Sequence, residues 1–526
     1  KNLNSDAYAL VGQWLCDQND VEGAEMDVFR PEYKGAGQNG NFYPECYIIP
    51  MDRTNQKNLY DAAAELKDLT RNDIKVNVSS SAFTYDGVTY PAGTLIVSMY
   101  QAKRSLANSQ LYDGTFINVW KGLYSESFAQ RSYARGYDRI VVAEPAAYQD
   151  IMAVSADTIG YDEALILLAA LTSSFDGVQN ADVIIDNVSN DSAAAVNALL
   201  RAGKTVAMIT KGDEKGNFIC SYEDFLTIAK DYVITATGVY GANYKAAVIL
   251  NPLVFLPGKP ANNTSGYVET TLRSGSYNYR FDWLALTAMG FSVTDDLSQA
   301  DVIVGSRALS DEAIGAVKGG IPYMGYSSGA VSSKSALMQE LGVALSNCKM
   351  GTDFLGYVEY PSSTLINSTY INEGDDVMYE YGTYWFTQIP EGATVLVKNA
   401  GKTPLQGCIC LTDDASTAQF GEYNSGVVGF EYQSGKLDMA LFANVLNHKI
   451  HQTDEYTFIS NFIFSRSLTE TAYEGVAQPE NPDPVNPGKP EEPGKPDAPK
   501  TGDTSSIIVW VLAASFTVVM IPMTVT

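Results

Sequence analysis

The chain has 526 residues, of which 45% are hydrophobic and 18% are charged. This composition is typical of globular proteins with large buried cores, and the length predicts several domains. With 61 acidic and 35 basic residues the formal net charge is −26, which argues against the clustered Lys and Arg that nucleic-acid binding requires. We therefore expect no nucleic-acid partner.

The first part of the chain alternates between strand and helix patterns. The predicted elements are a strand at 47–49, a helix at 59–69, a turn at Asp86-Gly87 and a strand at 93–97. The turn residues favour positive φ, and the second strand is rich in residues that favour sheets. We predict a small α/β module over residues 46–150, preceded by a tail or linker over residues 1–45.

An internal repeat organises the middle of the chain. Residues 181–185 (ADVII) recur at 300–304 (ADVIV), and each copy precedes an alanine-rich helical pattern and a second apolar strand. Continuous apolar strands joined by helices are typical of parallel sheets covered on both faces. We therefore predict an α/β fold of doubly wound, mostly parallel, flavodoxin-like sheets. This larger domain spans residues 151–470 and becomes β-rich from 379 to 442.

The second copy of the repeat leads into a short glycine and serine motif, GYSSG at 325–329. It matches G-x-S-x-G, a turn that can present a serine nucleophile at the top of an α/β sheet. Such a serine needs a histidine base. The chain has only two histidines, His448 and His451, and His448 follows an apolar strand. Ser327 and His448 are therefore the candidate catalytic residues.

No acid follows His448 at a spacing that would orient it. Residue 450 is Ile, and Asp454 lies three positions after His451 without any spacing that requires it to act. Loss of the orienting acid costs serine proteases about four orders of magnitude in rate. Glycines and serines also suit a tight strand-to-helix turn, so we expect a structural elbow. A catalytic zinc needs three protein ligands. Because the chain has only two histidines, we also predict no metal site in this chain.

Two stretches resemble parts of known bacterial enzymes. The stretch at 46–144, which contains CYIIPMD at 46–52 and YPAGTLIVSMYQAKR at 90–104, resembles the region that follows the catalytic domain in large zinc carboxypeptidases of the carboxypeptidase A type. Residues 139–468 resemble the class I glutamine-amidotransferase-like domain that accompanies such peptidases, with Ser327 at the position of its nucleophilic cysteine. The resemblance implies that a separate upstream domain binds the zinc and the peptide substrate, and that this segment holds no cofactor.

The end of the chain has the composition of an extended stalk followed by an apolar segment. From residue 484 to 499 proline falls at every third position, which favours a polyproline helix. We assign residues 471–500 to a linker long enough to span a cell wall. Residues 507–525 carry no charge, and these 19 residues are just long enough to cross a bilayer core of about 30 Å.

The segment at 498–526 resembles the cell-wall sorting signal of Gram-positive surface proteins, L-P-x-T-G followed by a hydrophobic span and a basic tail. The motif residues are Ala498, Pro499, Lys500, Thr501 and Gly502, with Ala498 in place of the usual Leu and no basic tail. The resemblance implies that sortase joins Thr501 to peptidoglycan and that only this span contacts the membrane, before sorting. Because no signal-peptide pattern follows Lys1, we expect a fragment of a longer exported protein.

Three functions from different classes fit these patterns. The first is an accessory, non-catalytic C-terminal region of an exported, wall-anchored zinc metallocarboxypeptidase that acts on peptides or on the peptides of peptidoglycan. The second is a surface binding or adhesin module. The third is an active serine-type hydrolase in the amidotransferase-like domain.

Overall fold

The structure is a computed structural model that describes residues 43–114, 116–118, 130–240, 244–258, 277–348, 353–374 and 376–477. The tail at 1–42, the proline stalk from 478, the sorting motif and the apolar run at 507–525 lie outside these residues. Within the described ranges, no helix is long and apolar enough to cross a lipid bilayer.

The first part of the chain builds an antiparallel sheet between helices. Its elements are β1 (Cys46–Ile49), α1 (Leu59–Arg71), β2 (Val76–Ser79), β3 (Phe83–Tyr85), β4 (Val88–Tyr90), β5 (Leu95–Ser98), α2 (Arg104–Leu111), β6 (Phe116–Ile117), α3 (Arg131–Arg135), β7 (Ile140–Val142), α4 (Pro145–Ala153), β8 (Ser155–Ile159) and α5 (Tyr161–Ala170). The strand order is β7-β1-β5-β2-β8, and each of these pairs is antiparallel.

Both faces of this first sheet are covered. Tyr47 and Ile49 pack in a core with α1 and α5, while Cys46 and Ile48 pack with α4 on the other side. Since successive strand residues point to opposite faces, a strand covered on both sides has a continuous apolar sequence. The core on the α1 side takes in residues up to Leu171, beyond the module boundary expected at 150.

Several predicted elements of this part are confirmed. The strand predicted at 47–49 and the helix predicted at 59–69 are β1 and α1, and the strand predicted at 93–97 is observed as β5. The turn at Asp86-Gly87 joins β3 to β4, with φ of 49° and 78°. Positive φ at both central residues matches the right-handed twist of a two-residue hairpin.

The remaining described elements form two larger sheets. The earlier ones are β9 (Ser174–Gly177), β10 (Asp182–Ile185), α6 (Asn190–Arg201), β11 (Val206–Lys211), β12 (Phe218–Ser221), α7 (Tyr222–Ile228), β13 (Thr235–Val239) and β14 (Lys245–Ile249). The later ones are β15 (Leu253–Phe255), α8 (Tyr277–Ala288), β16 (Ser292–Thr294), β17 (Val302–Gly305), α9 (Asp311–Gly319), β18 (Tyr323–Tyr326), α10 (Ala336–Glu340), β19 (Ala344–Asn347), β20 (Phe354–Glu359), α11 (Ser368–Glu373), β21 (Val377–Glu380), β22 (Tyr384–Gln388), β23 (Thr394–Asn399), β24 (Gly407–Cys408), α12 (Asp414–Tyr423), β25 (Val427–Ser434), β26 (Leu437–Phe442), α13 (Tyr456–Arg466) and β27 (Leu468–Ala472).

The second and third sheets differ in strand direction. The second has the order β27-β14-β11-β12-β10-β13-β9, and only β13 and β9 are parallel. The third has the order β16-β15-β17-β18-β26-β25-β23-β20-β21. Its first five strands are parallel, and the rest pair antiparallel. In the parallel half, α8 and α9 pack on opposite faces.

The mixed α/β class is confirmed, but the expected predominance of parallel pairing is wrong for the described strands. The two copies of the repeat explain the difference. In the later copy β17 and β18 are adjacent and parallel, whereas in the earlier copy β12 lies between β10 and β11 and is antiparallel to both. A continuous apolar run indicates that a strand is buried on both faces. It does not indicate the direction of the neighbouring strand.

Helix α13 joins the second and third sheets into one core. All of its residues from Tyr456 to Phe464 are buried. Phe464 contacts Phe218 of the second sheet with ring centroids 5.1 Å apart, and Phe458 contacts Phe442 of the third sheet at 5.0 Å. The loop between β26 and α13, which carries both histidines, is therefore held at both ends by buried elements.

Candidate functional site

The elbow predicted at 325–329 follows β18, at the carboxyl edge of the parallel half of the third sheet. Ser327 has φ 97°, a region that residues other than glycine rarely adopt. The neighbouring strand supports this conformation, because the Ser327 N–H donates to the Phe442 carbonyl at 3.2 Å. A Cβ at Gly329 would lie 3.0 Å from the Ser306 carbonyl oxygen, so the turn leaves little room for a larger residue there.

The Ser327 hydroxyl is engaged by the backbone. Its Oγ donates to the Ser306 carbonyl oxygen at 2.7 Å and accepts from the Gly329 N–H at 3.2 Å, and the residue is only 3% exposed. A serine nucleophile is activated by a hydrogen bond to a base. In the described part of the chain no hydrogen bond joins Ser327 to His448, and the carbonyl of Ser306 occupies the place of the base.

The helix expected directly after the elbow is replaced by a turn. The N–H of Ala330 donates to the Ser327 carbonyl at 3.1 Å, but α10 begins only at Ala336. Between them, the Ser332 hydroxyl accepts a hydrogen bond from the Lys334 N–H. Serine side chains compete in this way for backbone groups that a helix would use. Ser327 therefore caps a turn and not a helix.

His448 lies in a short 3-10 turn, His448–Ile450, that follows β26. Its ring stacks on Tyr381 with centroids 3.5 Å apart, and its ring nitrogens have no hydrogen-bond partner among the described residues. Burial lowers the pKa of His448 to about 3, and the charges of Lys449 and His451 add to the effect. The imidazole is thus neutral at physiological pH, and no acid in the described part of the chain hydrogen-bonds to it.

The two histidines differ in exposure. His448 is buried and His451 is exposed, and their ring centroids are 5.9 Å apart. The carboxylate of Asp454 lies against Gly136, at the end of α3 in the first module. Within the described ranges, no group of three or more His, Cys, Asp or Glu side chains could hold a metal ion.

A buried polar cluster lies beneath the elbow. Asp282 of α8 is fully buried, and its Oδ2 accepts from the Ser306 N–H at 3.0 Å and from the Ser306 hydroxyl at 2.7 Å. Its Oδ1 accepts from the Tyr326 hydroxyl at 2.9 Å and from Asn447 Nδ2 at 2.7 Å. The carboxylate therefore connects the ends of β17 and β18 to the loop after β26.

The sequence patterns did not lead us to Asp282, although its position in the sequence is unusual for an acidic residue. It is an acidic residue directly before the apolar run WLAL of a helical stretch, and two of its partners, Ser306 and Tyr326, directly follow or end apolar strands. Burial raises its pKa, and the hydrogen bonds from Asn447, Ser306 and Tyr326 oppose the rise. Four donors converge on one carboxyl group, which stabilises the charged form in a site with little water. The cluster therefore holds the elbow and the loop between β26 and α13, the histidine loop, in one arrangement.

Two further buried acids, Glu455 and Glu380, bind residues in and around the loop that contains the histidines. Glu455 Oε1 accepts from the Tyr379 N–H at 2.7 Å, and its Oε2 accepts from Gln452 Nε2 at 3.0 Å. Gln452 Oε1 in turn accepts from the backbone N–H of His448 at 3.2 Å. Burial raises the pKa of Glu455. Through Gln452 this acid therefore positions the backbone of His448, whereas the ring is held by its stacking on Tyr381.

Glu380 is the other acid of this pair and ends strand β21. Its Oε2 accepts from Asn444 Nδ2 at 2.9 Å, while Oε1 is buried and has no hydrogen-bond partner among the described residues. Burial raises the pKa of Glu380 to about 8, although the neighbouring Tyr423, Asn399 and Asn444 side chains moderate the rise. The carboxyl group is therefore largely protonated at neutral pH.

Comparisons with known proteins add little to this geometry. No family model matches the chain, and no curated protein matches it. Among solved structures it is similar to a GMP synthase subunit protein from Thermoplasma acidophilum, with 14% identity and a TM-score of 0.24 over 40% of this chain and 92% of the other. At this level the likeness carries no argument about function.

Proposed function

We propose that this chain is an accessory, non-catalytic region of an exported, cell-wall-anchored zinc metallocarboxypeptidase. In this proposal a separate domain supplies the zinc, the peptide site and the hydrolysis of peptides or of peptidoglycan peptides. The described residues contribute a rigid scaffold, and the sorting motif joins the protein to peptidoglycan through sortase. The resemblance of residues 46–144 to the region that follows such peptidase domains supports the link to this enzyme class.

One observation carries the non-catalytic part of the proposal. The Ser327 hydroxyl donates to the Ser306 carbonyl, while His448 stacks on Tyr381. We propose that the parallel half of the third sheet, with helices on both faces, is a doubly wound, amidotransferase-like unit that keeps its elbow as a structural joint. Its former nucleophile position is tied to the backbone, and the Asp282 cluster maintains the joint.

The backbone of Ser327 favours a second candidate, an active serine hydrolase. A φ of 97° at a residue other than glycine costs roughly 1–3 kcal/mol and is most often retained at functional sites. In this alternative, rotation about χ1 would release Oγ from Ser306 and expose it to a base when substrate binds.

Labelling with a fluorophosphonate probe separates the two candidates. The non-catalytic proposal predicts no stoichiometric label on Ser327 in the native chain. Ser327→Ala measures the background label, and Ser328→Ala is a matched control that keeps Ser327. Stoichiometric label that disappears in Ser327→Ala would establish the hydrolase instead.

The link to a metallopeptidase is tested separately. Purified residues 1–526 are expected to bind no stoichiometric zinc and to release no amino acid from peptide substrates. The gene upstream is expected to encode H-x-x-E and a more distant histidine, the ligand set of the resembled family. A secretion signal joined directly to this region would favour the surface binding or adhesin module.

A further inference from the structure

A cavity of about 230 Å³ lies at the junction of the first module and the third sheet. At roughly 30 Å³ per water molecule, it has room for about eight waters or for a small metabolite. The first module contributes Lys57, Asp113, Asp138 and Arg139 to its wall, and the third sheet and the histidine loop contribute Val377 and Asp454. None of the elbow residues lines it, and ligand sites are common at such junctions.

Arg139 is the most unusual side chain in this wall. Its side chain is 3% exposed, and its guanidinium lies over the Tyr47 ring, 5.2 Å from the centroid. Only Nη2 has a hydrogen-bond partner in the described part of the chain, Asp113 Oδ1 at 2.6 Å, and Nε is buried without a partner. Because Asp113 is 58% exposed, it compensates the buried charge only in part.

A guanidinium carries five N–H donors in a planar fork that fits a carboxylate. Arg139 therefore has donors to spare at a buried position in the cavity wall. A planar oxyanion is the ligand group that would satisfy them. The burial of Arg139 strengthens this attraction, since charges interact more strongly away from bulk water.

The other charges of the wall narrow the ligand class. Lys57 and Arg139 are positive, while Asp113, Asp138 and Asp454 are negative. A simple anion would meet three carboxylates, and a simple cation would meet the buried guanidinium. A ligand that carries both charges a short distance apart avoids both penalties.

We propose that this cavity binds a small zwitterion of the α-amino acid type. Its carboxylate bonds to the Arg139 guanidinium, and its ammonium group lies among the carboxylates of Asp138 and Asp454. The proposal is independent of the function proposed above, because it uses no residue of the elbow and requires no catalysis.

Isothermal titration calorimetry on the full chain tests this site. The probes are the twenty standard L-amino acids, measured one at a time, with acetate and methylamine as probes that carry one charge each. At least one amino acid is expected to bind, and at least tenfold more tightly than either single-charge probe. If no amino acid binds at about 10 mM, tenfold above a Kd of about 1 mM, or if acetate binds equally well, the proposal is wrong.

Variants locate the binding. Arg139→Gln is expected to weaken the amino acid at least tenfold, whereas Arg71→Gln, at an exposed arginine of the same module, leaves affinity unchanged. Asp113→Ala is expected to keep or tighten binding, because it removes the acceptor that occupies Nη2 of Arg139. Val377→Phe narrows the cavity from the side of the third sheet and should block binding, so it tests the site even if Arg139→Gln does not fold. Wild-type affinity in Val377→Phe would exclude this cavity as the site.

Discussion

Asn447 donates a 2.7 Å hydrogen bond to the carboxylate of Asp282, across 165 positions of sequence. The same carboxylate binds Ser306 and Tyr326, so one buried group connects the ends of β17 and β18 to the loop after β26. In an α/β sheet, ligands commonly bind at this carboxyl edge. Here the edge is closed by side chains that bind each other.

Replacement of Asp282 should therefore be among the most destabilising single changes in this sheet. Asp282→Ala leaves four donors without an acceptor in a buried site, and each unsatisfied group costs about 1–3 kcal/mol. We expect the free energy of unfolding to fall by about 3 kcal/mol or more, measured by urea denaturation. Asp231→Ala, at an exposed position, should change it by less than about 0.5 kcal/mol. A loss for Asp282→Ala as small as that of the control would mean that the cluster is not structural.

Glu380 should make the protein less stable as the pH rises. Its pKa is raised from 4.5 to about 8, so between these values the folded state binds more protons than the unfolded state. The free energy of unfolding then falls with rising pH, by up to about 1.4 kcal/mol per pH unit. Glu380→Gln removes this contribution, and its stability relative to wild type should increase from pH 5 to pH 8.

Denaturation of both proteins at pH 5, 6, 7 and 8 measures the difference. Glu391→Gln, at an exposed position, is the matched control and should follow the wild-type profile. If the difference between Glu380→Gln and wild type is constant over this range, Glu380 does not carry the buried proton.

His448 should remain neutral well below the usual range for histidine. Its pKa is lowered from 6.5 to about 3, so the folded state binds fewer protons than the unfolded state between these values. This contribution to stability is lost as the pH falls through that window. Because the chain has only two histidines, ¹⁵N-histidine NMR can follow each ring, with His451→Asn to assign the signals. Titration of His448 near pH 6.5 would show that the ring is exposed to solvent.

Gly136 should be required for the contact between the first module and the histidine loop. It has φ 71°, and a Cβ there would lie 2.0 Å from Asp454 Oδ1. Gly374 has the same φ with nothing within 4 Å, so Gly374→Ala measures the backbone cost alone, about 1 kcal/mol. Gly136→Ala should cost clearly more, and Asp454→Ala should recover part of the loss. Equal costs for the two glycine variants would exclude the clash.

The sorting motif should attach the protein covalently to peptidoglycan through Thr501. In a Gram-positive host that produces the full-length protein, muramidase should release it from purified walls, whereas hot detergent should not. Thr501→Ala should shift the protein to the membrane or the medium, and Thr504→Ala should not. Complete release of the wild-type protein by detergent would indicate a plain membrane anchor.

The sequence by itself determined the elements whose signal is local. The apolar run of β1, the helix at α1 and the turn at Asp86-Gly87 depend on residues within a few positions of each other, and the structure has them where they were expected. The position of the elbow after β18 is also predicted by residues that are close in sequence. Each rests on backbone preferences and apolar spacing that neighbouring residues alone specify.

Only the tertiary structure decided strand direction and the chemistry of the elbow. The carbonyl that accepts the Ser327 proton lies 21 positions away, and the carboxylate that accepts from Asn447 lies 165 positions away. Local patterns carry no information about which distant groups meet, because burial and hydrogen bonding depend on how whole elements pack. The same limit explains why β12 between β10 and β11 was not foreseen: a strand buried on both faces has the same apolar sequence whichever way its neighbours run.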